Sequence, residues 1–130
     1  LNHDPAKVLL ISEALQTMEL LCEGRFAMMN ITNKTLAKCG ANRSHVENIV
    51  NEPMQIGSVE VSVLAVEMEE PGKTRFSLRS KEYIDVNAIA NRLGGGGRDR
   101  AAGLTVHEPM DQAIAIVIKA VEAELLNQPK

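Results

Sequence analysis

Residues 59–106 read VEVSVLAVEMEEPGKTRFSLRSKEYIDVNAIANRLGGGGRDRAAGLTV, and this stretch decides the fold. Val59, Val61, Val63 and Ala65 recur every second residue, the period of a strand. Pro71-Gly72 is turn chemistry. The return run from Lys73 to about Ser80 turns Phe76 and Leu78 toward a core, so Arg75, Ser77 and Arg79 share the opposite face. Asp85 is placed to cap a helix in which Val86, Ile89, Ala90 and Leu93 follow the i, i+3, i+4, i+7 pattern. After Gly94 to Gly97 and Arg98-Asp99-Arg100, the small residues Ala101-Ala102-Gly103 make a turn into a short strand, Leu104 to Val106. A hairpin, a helix and a further strand in succession make an α/β unit: a small mixed sheet flanked by helices.

Upstream, Asp4-Pro5 is a helix start, with Asp4 as cap and Pro5 at the first helical position. Val8, Ile11, Leu15, Met18 and Cys22 then recur at helical spacing as far as Gly24, and Leu10, Ala14 and Leu21 make a second apolar stripe. So broad a stripe needs partners on two sides. Residues 1–24 are therefore read as a helix connecting a preceding domain to the domain proper, residues 25–130. An ordinary core helix would show the same pattern. Phe26 to Ile31, apolar on both faces, reads as a central strand covered by helices. A short helix through Lys34 to Lys38 stops at Gly40. Ser44 and Glu47 match a capping box for a helix with Val46, Ile49 and Val50 inward, and Met54 to Gly57 is a loop. The last helix runs from about Pro109 to Leu126, with Ile114, Val117, Val121 and Leu125 inward.

Composition narrows the function. The chain carries a formal net charge of −3 with 24% charged residues, which disfavours long duplex DNA as a partner, because counterion release needs many basic contacts. Phe26, Phe76 and Tyr83 are its three aromatics, so stacking platforms for single strands are poorly supplied. A small anion held by a few local arginines remains compatible. Cys22 and Cys39 lack metal or redox spacing and read as free thiols in a reducing, cytoplasmic setting. No apolar run reaches the ~18 residues of a membrane span. His3, His45 and His107 stand apart in sequence, so no metal site and no nucleophile–base pair is expected in this chain.

The four consecutive glycines are the strongest local signal. One would cap the helix; four exceed that need, because each costs backbone entropy on ordering. Glycine lets main-chain amides approach a ligand without an intervening Cβ and so form an anion-binding concavity. Arg98 and Arg100 add positive charge beside it, and Arg79, Ser80 and Lys81 stand at a strand end, where α/β folds bind ligands. The competing reading is a flexible loop with solvated charges. A P-loop is excluded, since no Lys-Ser or Lys-Thr pair follows the glycines, and the dinucleotide fingerprint fails because these glycines follow a helix rather than open one.

Ser77-Leu78-Arg79-Ser80-Lys81, then Asp85-Val86-Asn87-Ala88-Ile89-Ala90, then Gly94-Gly95-Gly96-Gly97-Arg98-Asp99-Arg100-Ala101-Ala102-Gly103 follow one another within residues 77–103. In order and spacing they resemble the S-L-R-S-K, D-V-N-x-I-A and G-G-G-G-H-x-x-A-A-G motifs of the C-terminal domain associated with DHH-family phosphoesterases. The likeness is nearest to the oligoribonuclease and 3′-phosphoadenosine-5′-phosphate phosphatase group. That resemblance implies a division of labour. An N-terminal DHH domain, outside this chain, carries the acidic and histidine residues that bind two manganese ions, and the C-terminal domain clamps the nucleotide. Matched to the motifs, Arg79 and the glycines Gly95, Gly96 and Gly97 are the implied binding residues, with Ser80 in support. Where the family usually has His after the glycines, this chain has Arg98. An arginine can grip phosphate bidentately but cannot act as a neutral acceptor or proton carrier. Arg98 and Arg100 complete the candidate set.

The expected function is thus substrate binding within a manganese-dependent phosphoesterase acting on short oligoribonucleotides or nucleotide phosphates, with no cofactor in this chain itself. The expected partners are a nucleotide or short single strand, the chain's own DHH domain, and a second copy in a homodimer. Two alternatives come from other classes. One is a nucleic-acid-binding appendage of the alanyl-tRNA-synthetase type; the other is a dimerisation domain that uses the first helix.

Overall fold

In the computed structural model, residues 4–128 are described, so the reading made for His3 lies outside the described residues. Strands β1 (Glu19–Leu21), β2 (Phe26–Ile31), β3 (Val61–Glu67), β4 (Thr74–Ser80), β5 (Gly96–Arg98) and β6 (Ala101–Val106) form one mixed sheet. Their spatial order is β1-β2-β3-β4-β6-β5. Strands β2 and β3 run parallel, and the remaining neighbours are antiparallel. Parallel pairing requires a long crossover. Here it contains α2 (Asn33–Cys39) and two 3-10 segments, Arg43–Val46 and Ile49–Gln55.

Alternation along each strand sorts the apolar residues into two cores. On one face Phe26, Met28, Val61, Val63, Phe76, Leu78 and Leu104 pack with α3 (Val86–Arg92) and α4 (Met110–Asn127). On the other face Met29, Ile31, Leu64 and Val66 pack with Leu10 and Ala14 of α1 (Pro5–Gln16) and with Leu36 and Cys39 of α2. The second core stops at β3. Beyond it, Arg75, Ser77 and Arg79 of β4 and Ala101, Gly103 and Thr105 of β6 belong to neither core and keep solvent access. The sheet is covered on both faces along one half and on a single face along the other.

Several local readings are met. Asp4 caps α1 through the Lys7 N–H at 3.1 Å. Asp85 caps α3 through the Ala88 N–H at 3.1 Å, and Gly40 ends α2 in the left-handed conformation.

Three readings are corrected. The first helix does not reach Gly24: it ends at Gln16, and the chain turns back as β1, which pairs Leu21 with Phe26. Cys22, Glu23 and Gly24 make that turn with φ values of 53°, 58° and 85°. The boundary drawn at residue 24 thus falls inside the β1–β2 hairpin. Met18 and Leu21 suit either a helix or a strand, and pairing with β2 overrides local propensity. Thr17 locks the exit, its hydroxyl donating to Ala14 O at 2.7 Å and accepting from Asn30 N at 2.9 Å.

The Ser44 capping box is also absent. Asn42 is the cap, accepting from Ser44 N at 2.9 Å, while the His45 ring accepts from Asn42 N at 3.0 Å. The segment breaks at Asn48, where φ is 69°, leaving two 3-10 pieces instead of one helix. Finally, the last strand starts at Ala101 rather than Leu104, so Ala-Ala-Gly is strand and not turn.

One buried carboxylate holds the β4–α3 connection. Glu60 is 5% exposed and accepts from Glu82 N, Tyr83 N and Ile84 N at 2.9–3.2 Å. Hydrogen bonds to a charged group contribute about 1.5–3 kcal/mol each, and orphaned buried amides add their own penalty. Glu60→Ala is therefore expected to cost at least about 2 kcal/mol in urea unfolding, with faster amide exchange at Tyr83 and Ile84.

Candidate functional site

The open half of the sheet carries the candidate residues. Cross-strand partners project to the same face, so the register can be read row by row. One row runs Ser62, Arg79, Ala101, Arg98. The next runs Leu64, Ser77, Gly103, Gly96, and the third runs Val66, Arg75, Thr105. Arg79 and Arg98 are two strand spacings apart, roughly 10 Å, with Ala101 between them. Arg75, Ser77, Arg79, Gly96, Gly97 and residues 101–103 line a shallow depression of about 260 Å³.

The glycine run is not a loop cradling an anion, which corrects the reading made from sequence. Gly96–Arg98 is the edge strand β5. The Gly94 and Gly95 N–H groups donate to Asn91 O and Ala90 O at 3.2 and 2.8 Å, and Gly97 N–H donates to Asn87 Oδ1 at 2.9 Å. These amides are already used. The glycines instead permit close packing. A Cβ on Gly95 would meet the Gly103 carbonyl and come within 2.5 Å of Leu104 Cβ. On Gly97, at φ 155°, it would lie 2.5 Å from Ala101 O. Gly103 makes room in another way: a Cβ there would stand 2.5 Å from Arg75 Nη2, so the Arg75 guanidinium lies across β6 over bare backbone.

The candidate residues separate into two groups. Arg79, Gly96, Gly97 and Arg98 share the open face or its rim. Arg79 donates to Leu78 O at 2.9 Å, and among the described residues its other N–H groups meet no acceptor. Partial burial lowers its pKa from the ordinary arginine value, yet an arginine so placed stays cationic at neutral pH. Arg98 is exposed and makes no ion pair among the described residues, with Asp99 or any other carboxylate.

Gly95, Ser80 and Arg100 stand outside this group: Ser80 is buried, and Arg100, though exposed, is tied to other parts of the chain. Ser80 is 7% exposed on the core face, with its hydroxyl 2.6 Å from Ile84 O and 3.2 Å from Asp99 O. Arg100 is tied to Ser80 Oγ at 3.1 Å and to the Ile84 carbonyl. Both fasten the β5–β6 turn to the β4–α3 connection. Lys81 likewise donates to Ile56 O at 3.0 Å, away from the depression.

Arg75 and Ser77 were read from sequence as sharing Arg79's face but were not placed in the site. The period-two pattern of β4 was the signal that could have included them. Ser62, paired with Arg79, was missed: its Oγ is fully buried and has no hydrogen-bond partner among the described residues. Nothing in its local sequence marks it. Among the described residues, no three His, Cys, Asp or Glu side chains come together as a metal site. No helix among them is long and apolar enough to cross a membrane.

Comparison with known proteins adds a family. The DHHA1 domain model matches residues 28–126. Among solved structures, the chain is similar to an exopolyphosphatase-related protein from Bacteroides fragilis at 24% identity and TM-score 0.86, over 94% of this chain and 36% of that one. A pGpG-specific phosphodiesterase from Vibrio cholerae follows at 12% identity and TM-score 0.61, over 92% of this chain and 40% of that one. The C-Ala domain of Aquifex aeolicus alanyl-tRNA synthetase is similar at 14% identity and TM-score 0.53, over 79% of this chain and 96% of that one. The three likenesses are of fold. The chain spans well under half the length of the first two.

The close approach at Gly97 yields a test of what the glycines do. Gly97→Ala drives a carbon into the β6 backbone at a φ that disfavours side chains, and is expected to cost about 1–3 kcal/mol. Gly96→Ala, whose added carbon meets the Asn91 side-chain oxygen at 3.3 Å, should cost less. Urea unfolding of the two variants, with amide exchange along β5, checks the order.

Proposed function

Because the chain belongs to the DHHA1 domain family, the domain associated with DHH phosphoesterases, we propose that it grips the phosphate of a nucleotide or short oligonucleotide that a preceding DHH domain hydrolyses. The observation that carries this reading is the shared open face of Arg75, Arg79 and Arg98 over a floor of Gly96, Ala101 and Gly103. Guanidinium groups meet phosphate oxygens bidentately, and a floor without bulk lets the anion sink between them.

In this reading the residues of the chain bind and orient, and the chemistry is done elsewhere. Manganese does not fit the described side chains, so no step is assigned to it here; the metal-activated water of such hydrolysis belongs to the preceding domain. Val8 and Leu9, exposed on α1, are the apolar surface on which that domain would rest. The protein as a whole would work in the cytoplasm on nucleotide phosphates or short oligoribonucleotides.

Three charge-assisted contacts contribute roughly 5–9 kcal/mol gross, and association costs at least about 4 kcal/mol. What remains corresponds to about millimolar affinity or weaker. The isolated chain is therefore expected to bind mononucleotides weakly in NMR titrations and to hydrolyse no phosphoester, with or without manganese. Turnover by this chain alone would overturn the division of labour. Arg79→Ala should weaken binding by about tenfold or more. In the protein with its DHH domain the same change should raise KM, and also lower kcat where the contact strengthens in the transition state. Unchanged binding and kinetics would remove Arg79 from the site.

A further inference from the structure

The phosphate-gripping depression does not end at Arg75 and Ser77. The same two residues line a second, larger cleft of about 450 Å³, walled by Val46, Val66, Met68 and Arg43. Its volume lies within the about 300–1,000 Å³ of small-ligand clefts. Its character changes across that shared wall. On the Arg79 side the surface is guanidinium and bare backbone, suited to an oxyanion. On the Val66 side it is aliphatic and thioether, with Glu69 and Glu70 on the rim. An inorganic polyphosphate would fill the first and leave the second wet and unused. A nucleotide has one part for each.

The chain's aromatics cannot supply a stacking surface here, since Phe26 and Phe76 are fully buried and Tyr83 lines a different pocket. Arg43 offers another flat surface. Its Nη1 donates to Glu67 O at 2.9 Å and its Nη2 to Asn33 Oδ1 at 2.5 Å, while Nε lies 3.4 Å from the Glu69 carboxylate. Three partners around its edge fix the guanidinium plane, so a base can stack on it without paying to order a flexible side chain. Met68 adds a polarizable apolar contact, and the Glu69 carboxylate can accept from an exocyclic amine.

We propose that this cleft is the nucleobase subsite of the ligand whose phosphate lies against Arg79. Arg43 is its stacking platform, Met68 and Val66 are its floor, and Arg75 and Ser77 are the divide between base and phosphate. The inference rests on the phosphate reading and commits the site to nucleotides over bare phosphate chains.

NMR amide titrations of this chain with tripolyphosphate, adenosine 5′-monophosphate and adenosine separate the two claims. The nucleotide is expected to shift Met68, Val66 and Val46 together with Arg79 and Gly96, and tripolyphosphate to shift the latter pair only. Met68→Ser and Arg43→Lys should each weaken the nucleotide by at least about fivefold, as loss of a base contact does, and leave tripolyphosphate unchanged. If the nucleotide and tripolyphosphate shift the same amides and Met68→Ser changes neither affinity, the base subsite is overturned while the phosphate site stands. If tripolyphosphate leaves Arg79 and Gly96 unmoved while adenosine still shifts Met68, the phosphate reading fails and the cleft survives it. No response at Met68 to either adenosine compound overturns the cleft.

Discussion

Strand β4 is committed on one face and free on the other, and the rest of the molecule follows from that asymmetry. Thr74, Phe76, Leu78 and Ser80 are buried toward α3 and α4, which pins the strand in register between β3 and β6. A one-residue slip would drive Arg75 and Arg79 into that core, and uncompensated buried charge is far too costly to tolerate. The register that buries Phe76 therefore also presents the arginines. Core and site are two sides of one alternation.

The second layer completes the design by stopping short. α1, α2 and the 3-10 segments cover β2 and β3, Ile49–Gln55 also reaches β4, and the rest of β4 together with β6 is left bare on that face. An antiparallel sheet with one solvated face normally carries polar side chains on that face. Here the bare half holds arginine, serine, threonine, alanine and glycine. The edge of the second layer becomes the wall of a groove, which is why Val46 and Arg43, remote in sequence from β4, stand beside Arg75.

Glycine has a different part from the one its sequence invites. A run of four reads as a loop that cradles an anion with free amides, and the amides of Gly94, Gly95 and Gly97 are instead bonded within the protein. The physical use is proximity. Gly95 and Gly97 let β5 lie flush on β6, and Gly103 lets a guanidinium lie flat on the sheet. The positive charge of the site comes from side chains, and the glycines lower the floor beneath them.

Residues 59–92 were legible because their signals are local: strand alternation in Val61–Glu67 and Thr74–Ser80, turn chemistry at Pro71-Gly72, a cap at Asp85 and a helical stripe after it. The motifs that name the family overlap this region and run on to residue 103, and they need no folding to be read. Short-range periodicity failed where pairing partners are distant. Glu19–Leu21 fits a helix by spacing and becomes a strand because β2 offers unpaired backbone, and Gly96–Arg98 becomes a strand because β6 does. Sequence by itself determined the α/β class, the family and the face that Arg75, Ser77 and Arg79 share, since each is set by residue order along a single element. Only the tertiary structure decided that Ser80 turns inward and ties down Arg100, that Arg98 lines up with Arg79 across Ala101, and that Arg43 borders the same groove. Those facts depend on register and layer edges, which are fixed by burial between segments far apart in the chain.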